Sequence, residues 1–342
     1  GMVLVNTNPL YTQRELLHQF TDAGVTALVC LADLLPTLEQ VVPKTGIERV
    51  VVTNVFDLMA AQPAPDSALP GLVTLPEALA QGAQCELPQP GTTLNDIAML
   101  QYTGGTTGVA KGAVLTHGNI LASSRQSGSI VEIDPEQPDI VIAPMPLYHI
   151  YGFTMNIVGT FCAGGPSVLI PDPRDIGSMI ETMKAYPFTA LAGVNTLFVG
   201  LMQHPEFDAV DFSHVKGVIA GGAALVEEIA SEWKQRTGSD IYEGYGLSET
   251  ASALTCNSEA FRQLGTVGKP MPYMQVKIVG RHGETLDNGE EGELLVRGPQ
   301  VMHGYWQRPE ATAEALDAEG WFRTGDIAIM QEDGFIRICD RT

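Results

Sequence analysis

An α/β architecture of mostly parallel β-sheets flanked by helices, plus an antiparallel β subdomain at the C-terminal end, is the fold class this sequence predicts. Three observations carry it. Short, nearly all-apolar runs alternate with helical patterns over most of the chain, as in parallel strands joined by helical crossovers. After about residue 266 the alternation gives way to MQVKIVG, GELLVRG and GDIAIMQEDGFIRICDR, which read as antiparallel strands. A length of 342 residues with 44% hydrophobic and 17% charged residues supplies ample core.

The elements follow in order. The start, GMVLVNTNPLYTQREL, has no basic segment followed by an apolar one, so no signal peptide is expected. It runs straight from strand to helix, as if cut from inside a larger protein. Thr12 to Glu15 forms a T-x-x-E capping box, Leu16, Leu17 and Phe20 give a helical apolar face, and Gly24 stops the helix. ALVCLA (27–32) and RVVVTN (49–54) are expected as buried parallel strands. Residues 60 to 95 hold Pro63, Pro65, Pro70, Pro76, Pro88 and Pro90, which predicts a long loop or linker. Strands are then expected at IAMLQYT (97–103), DIVIAPMP (139–146), PSVLIP (166–171), TALAGV (189–194), VKGVIAGG (215–222) and DIYEGYG (240–246). VEEIASEWKQR (226–236) is a helix between them, and the last hairpin turns on Glu332-Asp333-Gly334. These shifts divide the chain into a partial α/β subdomain over 1–96, an α/β core over 97–265 and a β subdomain over 266–342.

Composition excludes several classes. With 19 basic against 40 acidic residues, net charge −21, nucleic acid is disfavoured as a partner. No apolar run of about 18 residues predicts a membrane-spanning helix. The five cysteines (Cys30, Cys85, Cys162, Cys256, Cys339) form no CxxC pair. Four of them lie in apolar stretches and are expected to be small buried hydrophobes in a reducing cytoplasm. Seven histidines give no HExxH and no Cys/His cluster, so a transition-metal site has little support.

Chemistry concentrates at residues 102–112, YTGGTTGVAKG. The Walker loop fails because Lys111 lies between Ala110 and Gly112, and G-x-G-x-x-G fails because Gly104 and Gly105 are adjacent. The physics of a phosphate cradle survives both failures. Gly104, Gly105 and Gly108 let the backbone turn N–H groups onto an anion; Thr103, Thr106 and Thr107 add hydroxyl donors; Lys111 adds a mobile charge. The loop leaves a strand at the edge where open α/β sheets bind ligands. A plain Gly/Thr surface loop is the alternative reading.

This stretch resembles the signature loop of the adenylate-forming superfamily, which comprises acyl- and aryl-CoA synthetases, luciferases and peptide-synthetase adenylation domains. It departs from the usual form with Gly104 for a serine and Ala110 for a proline, losing one hydroxyl and some loop stiffness. Four further stretches match in the family's order: PLYHIYG (146–152), AGGAAL (220–225), YEGYGLSET (242–250), and GWFRTGD (320–326) followed by CDR (339–341). NTNPLYTQREL and GPQVMHGYWQRPEAT resemble bacterial fatty acyl-CoA synthetases more narrowly, and the resemblance spans essentially the whole chain.

What the resemblance implies is specific. ATP, Mg²⁺ and CoA are the expected cofactor and co-substrates, and a fatty acid is the expected substrate. Thr103, Gly104, Gly105, Thr106, Thr107, Gly108 and Lys111 would wrap the polyphosphate, with Thr106 and Glu249 toward the metal. Gly221, Gly222 and Ala223 would admit the adenine edge, beside Glu243 and Gly244, although Gly-Gly is also an ordinary turn. Tyr245 would stack on adenine, or else be a core tyrosine, and Ser248 would donate to the α-phosphate. Asp326 suits a ribose diol because a carboxylate accepts from two hydroxyls at once, while TGD is also common turn chemistry. Arg341, the penultimate residue, would grip ribose or phosphate. His149 would border the substrate carboxylate, though one histidine in an apolar stretch is more often packed than catalytic. YGFTMNIVGTF (151–161) and ALAGVNTLFVGLM (190–202) are candidates for an acyl tunnel or ordinary core.

The family's C-terminal domain follows an Asp-Arg-x-Lys hinge, and this chain ends at Asp340-Arg341-Thr342. The resemblance therefore implies an N-terminal-domain core that binds nucleotide but turns over weakly or not at all. An aryl-CoA ligase and a non-catalytic nucleotide-binding module are the alternatives. A peripheral membrane contact is left open by the partitioning of long-chain acids into bilayers, without a basic amphipathic helix to mediate it. Chain-length preference and oligomeric state are not legible.

Overall fold

The computed structural model describes every residue except 56, 58–64, 104–108, 129, 131–137 and 342. It divides into two compact units, one of residues 1–93 and 98–112, the other of 94–97 and 113–342.

In the first unit, β1 (Leu4–Val5) pairs in parallel with β5 (Ile97–Tyr102) through Leu4–Met99 and Val5–Leu100. A separate parallel sheet runs β2 (Ala27–Leu31), β3 (Arg49–Thr53), β4 (Leu72–Thr74). The expected capping box forms: Thr12 accepts from the Glu15 amide, and Glu15 accepts from the Thr12 amide at 2.7 Å. Helix Gln13–Asp22 thereby starts with its apolar stripe aimed at the core, where Leu16 and Phe20 pack against Cys30, Leu38, Val50 and Val52. The strands are parallel as expected, but β2 is not buried on both faces, since Val29 and Leu31 stay exposed. The core covers only the face that carries Cys30, Val50 and Val52.

The Pro-rich stretch is also not all loop. It contains β4 and helix Leu75–Gly82, started by a Thr74–Glu77 capping box with Pro76 in the first turn, where a missing N–H costs nothing.

The second unit is built on a seven-stranded sheet. Its strands are β7 (Val141–Ala143), β8 (Ser167–Leu169), β9 (Ala190–Gly193), β10 (Gly217–Ala220), β11 (Ile241–Leu247), β12 (Ser252–Cys256) and β13 (Lys269–Pro270), in spatial order β13-β12-β11-β10-β9-β7-β8. All of the expected strands from 139 to 246 appear. Neither β12 nor β13 was expected, and both run antiparallel. β11 changes partner along its length. Ile241 to Glu243 pair in parallel with β10, and Gly244 to Leu247 pair antiparallel with β12, with a register shift at Tyr245/Gly246. Order reverses at β7, where the chain goes first to β8 on one side and then to β9 on the other, and such a switch point opens a crevice at the strands' carboxyl ends.

The sheet's core gathers Ile142, Met179, Leu191, Phe198, Val218 and Trp233, and Phe198, Phe207 and Phe212 crowd the Trp233 indole at 5.3–5.5 Å between ring centres. The antiparallel tail is as expected: β14 (Gln275–Val279), β15 (Glu291–Arg297), β16 (Phe322–Met330) and β17 (Ile336–Arg341) pair in sequence order. The last turn is closed by Gln331 N–H to Phe335 C=O at 2.8 Å, with Gly334 at φ 86°. Of the four cysteines expected to be buried, Cys30 and Cys256 are, whereas Cys162 and Cys339 are exposed, as is Cys85. Short apolar context marks an element, not which of its faces is covered.

Candidate active site

Within the first unit, the phosphate-loop residues Gly104, Gly105, Thr106, Thr107 and Gly108 lie outside the described residues. Their flanks do not. The Thr103 amide donates to the Lys111 carbonyl at 3.0 Å, closing the loop at its base. Helix Gln13–Asp22 holds both ends: Tyr102 donates to Asp22 at 2.7 Å, and His18 Nε2 lies 2.9 Å from the Ala110 carbonyl.

In the second unit, the remaining candidates collect beyond the carboxyl ends of β7, β10 and β11. The turn after β10 carries Gly221, Gly222 and Ala223. It is fixed by Asn195, which donates to Ala224 C=O at 2.7 Å and accepts from the Val226 amide at 3.1 Å. Glu243 assists, its Oε1 accepting from the Leu225 amide at 3.0 Å. Burial pushes the Glu243 carboxyl up to about 7, against the pull of that amide. Its side chain therefore serves the turn. A Cβ on Gly221 would stand 3.4 Å from the Tyr151 ring, whose hydroxyl donates to Ile219 C=O at 3.0 Å. Gly222 has φ +80° with open space around it, a backbone conformation that favours glycine. Gly244 instead faces Cys256, 3.1 Å from where its Cβ would be.

His149 sits just past β7, at the switch point. Its Nδ1 accepts from the Tyr151 amide at 3.2 Å, starting the next helical turn. Desolvation by its surroundings pushes the imidazole's pKa down.

Past the register shift, β11 delivers Tyr245, Ser248 and Glu249. Gly246 is required there, since a Cβ would fall 2.0 Å from the Ser252 carbonyl. The Tyr245 hydroxyl donates to Asp326 Oδ2, and burial, then the Asp326 charge, keep that phenol protonated. Asp326 and Arg341 stand directly opposite each other on β16 and β17, with Arg341 Nε 3.4 Å from Asp326 Oδ1. Ser248 and Glu249 share a single turn, Ser248–Thr250. The Glu249 carbonyl accepts from the Met302 amide at 2.8 Å, and its Oε1 accepts from the Tyr305 hydroxyl at 2.8 Å. That turn ends at Ala251 and Ser252, both at positive φ (51° and 114°). The Ala251 carbonyl accepts from Ser123 at 2.8 Å and from Thr154 at 3.1 Å.

Under β7, β9 and β10 lies a cavity of about 400 Å³, bounded by Val141, Leu191 and Ile219 of the sheet and by Met155, Gly159 and Ala163 opposite. Both stretches expected as tunnel candidates contribute to it. Among the described residues, no three His, Cys, Asp or Glu side chains could hold a metal together. A single carboxylate such as Glu249, completed by hydroxyl, phosphate and water oxygens, is a donor set that suits Mg²⁺.

A model of AMP-binding enzymes matches residues 1–306. The chain belongs to the AMP-binding enzyme family. Within it, the chain is 42% identical over 358 residues to the long-chain-fatty-acid–CoA ligase of Yersinia pestis, covering all of this chain and 63% of that protein. It is 35% identical over 363 residues to the Bacillus subtilis protein of the same name, again 63% of it. A feruloyl-CoA synthase of Amycolatopsis is 34% identical over 272 residues, 79% of this chain and 54% of that one. Among solved structures, ATP-bound MatB from Rhodopseudomonas palustris superimposes with TM-score 0.82 at 28% identity, over 99% of this chain and 63% of that one. An anthranilate CoA ligase in complex with anthranoyl-AMP reaches TM-score 0.89 at 22% identity, over the same shares, a likeness of fold. The chain thus spans about 63% of the length of the two long-chain-fatty-acid–CoA ligases above.

Sequence reasoning missed Tyr305, Asn195 and Tyr151 in their site roles. Tyr305 lies in GPQVMHGYWQRPEAT, a stretch noted for its resemblance without a role for its tyrosine. The other two reveal themselves only through backbone contacts that no local pattern announces.

Proposed function

We propose that this chain supplies the nucleotide- and acid-binding part of an ATP-dependent, AMP-forming fatty acyl-CoA ligase that acts in the cytoplasm on medium- or long-chain acids. One observation carries the reading: an apolar cavity of about 400 Å³ lies under β7, β9 and β10, and residues of both stretches expected as acyl-tunnel candidates line it. The name of the 42% identical Yersinia pestis relative supports the fatty substrate.

In this reading the acid's carboxylate oxygen attacks the ATP α-phosphorus, the bond to pyrophosphate breaks, and an acyl-adenylate forms. The CoA thiol then displaces AMP. Anion meets anion in the first step, so catalysis is chiefly charge neutralisation and in-line positioning. Lys111 and the loop from Thr103 to Gly108 would neutralise the phosphates, and Thr106 and Glu249 would hold Mg²⁺, which would supply Lewis-acid neutralisation. Ser248 donates to the α-phosphate and His149 borders the acid's carboxylate. Asp326 accepts from the ribose hydroxyls, exchanging them for Tyr245, and Arg341 pairs with the nucleotide. The adenine edge lies along Gly221 to Ala223, beside Glu243 and Gly244, with the Tyr245 ring against its face.

No helix among the described residues is long and apolar enough to cross a membrane.

Acid-dependent exchange of pyrophosphate into ATP by the whole protein tests the assignment. Exchange with palmitate is expected, and Ala192→Trp, which fills the cavity, should abolish it while sparing acetate. Exchange with benzoate or ferulate but not palmitate would favour the aryl-CoA reading that the feruloyl-CoA synthase likeness supports. No exchange with any acid would refute an adenylate-forming role. The 342-residue chain alone is expected to bind ATP while forming palmitoyl-CoA slowly or not at all.

A further inference from the structure

The segment Met302 to Tyr305 is bonded to two elements at once. On one side its Met302 amide and Tyr305 hydroxyl hold Glu249, at the carbonyl and at Oε1 respectively, each at 2.8 Å. On the other it pairs with β6 (Gly112–Thr116): His303 N–H donates to Val114 C=O at 3.0 Å, Val114 N–H donates to Gly304 C=O at 2.9 Å, and Ala113 bridges Tyr305. The segment is itself pinned from behind. The Tyr305 amide donates to Thr312 Oγ1 at 2.9 Å, and Gly304, at φ +140°, admits the Thr312 side chain so closely that a Cβ would meet its methyl at 2.6 Å. Tyr305 is therefore a rigid donor aimed at one oxygen of one carboxylate.

A lone carboxylate that binds a hard cation can rotate, and each rotation moves the ligand oxygen. A fixed phenol on Oε1 removes that freedom and presents Oε2 in one direction.

We infer that Tyr305 is a positioning residue for the cation site: by holding Oε1 of Glu249 it orients Oε2 toward the Mg²⁺ that accompanies ATP. The inference rests on the assignment of Glu249 to the metal made above. It adds a residue that acts through the carboxylate.

The variant Tyr305→Phe keeps the ring, the β6 pairing and the Met302 bond, and deletes one hydroxyl. Calorimetric titration of the 342-residue chain with ATP, in Mg²⁺ and separately in EDTA, tests the inference. A hydrogen bond to a charged group is worth enough that the ATP Kd in Mg²⁺ should rise about tenfold. In EDTA, parent and variant should bind alike. In the Glu249→Gln background the Mg²⁺ dependence should be gone, and adding Tyr305→Phe should change nothing further. Equal weakening with and without Mg²⁺ would mean a merely structural tyrosine and overturn the inference. So would a Mg²⁺-dependent parent with a variant identical to it, which leaves the metal at Glu249 intact. A parent whose ATP affinity ignores Mg²⁺ would instead remove the metal assignment, and the inference with it.

Discussion

Replacing Glu243 by glutamine should make the second unit more stable at pH 8 and leave it little changed at pH 4. The carboxyl is 6% exposed, and burial lifts its pKa from 4.5 to about 7, with Leu225 N–H opposing and Glu227 adding to the rise. Between those two values the unfolded chain is ionised at this position and the folded chain is protonated. Folding there takes up a proton, so stability falls as pH rises. The stabilisation is fully present below 4.5 and lost by the time pH has passed 7. A difference of 2.5 pKa units, at about 1.4 kcal/mol each, amounts to about 3–4 kcal/mol. Glutamine keeps the oxygen that accepts from Leu225 N–H at 3.0 Å and cannot ionise.

Urea unfolding followed by tryptophan fluorescence is a suitable assay, because Trp233, Trp306 and Trp321 all lie in the second unit. The stability of Glu243→Gln relative to the parent should climb by about 3 kcal/mol between pH 4.5 and pH 8. A gap between the two proteins that stays within about 0.5 kcal/mol over that range would refute the claim that burial governs this carboxyl.

Other perturbations give sharper local outcomes. Gly246→Ala would put a methyl 2.0 Å from the Ser252 carbonyl, forcing β11 and β12 apart. A loss of at least about 2 kcal/mol, read as a drop in Tm of about 4–8 °C, is expected, and an unchanged Tm would contradict the reading of the bulge. Thr74→Ala removes the cap of helix Leu75–Gly82. It should cost about 1 kcal/mol and speed amide exchange in that helix while leaving Trp233 fluorescence alone. Asp326→Asn breaks the pairing with Arg341 and weakens the acceptor proposed for ribose. AMP affinity should fall about tenfold or more by calorimetry, and undiminished binding would take Asp326 out of the nucleotide site.

Much of this was readable before any coordinates. Parallel strands buried on both faces leave continuous apolar runs, and IAMLQY, ALAG and GVIA all appear where such runs predict them. The terminal hairpin was readable from its Glu-Asp-Gly turn, but the facing of Asp326 and Arg341 was not: an unbroken register would set Asp340 opposite Asp326, and a shift at Ile327/Ala328 brings Arg341 there instead. Edge strands are another matter. β12 and β13 are short, and β13 contains a proline, so they present no period to detect. Helix Leu75–Gly82 was missed although its TLPE start is the same capping box as Thr12–Glu15, because surrounding prolines suggested loop. For the site, single-stretch motifs marked Tyr245, Glu249 and Asp326. What escaped is the second layer, such as Tyr305 on Glu249, joined across 56 residues of chain by a contact that only the folded path creates.

The Ala251 carbonyl carries one more implication. Two consecutive side-chain-bearing residues at positive φ cost on the order of 1–3 kcal/mol each, and here that geometry is secured by hydroxyls from Ser123 and Thr154. Those hydroxyls belong to the two helical segments, His117–Ser127 and Phe153–Gly159, that wall the cavity opposite the sheet. Pushing either segment away from the cavity would therefore break its hydroxyl's bond to the Ala251 carbonyl.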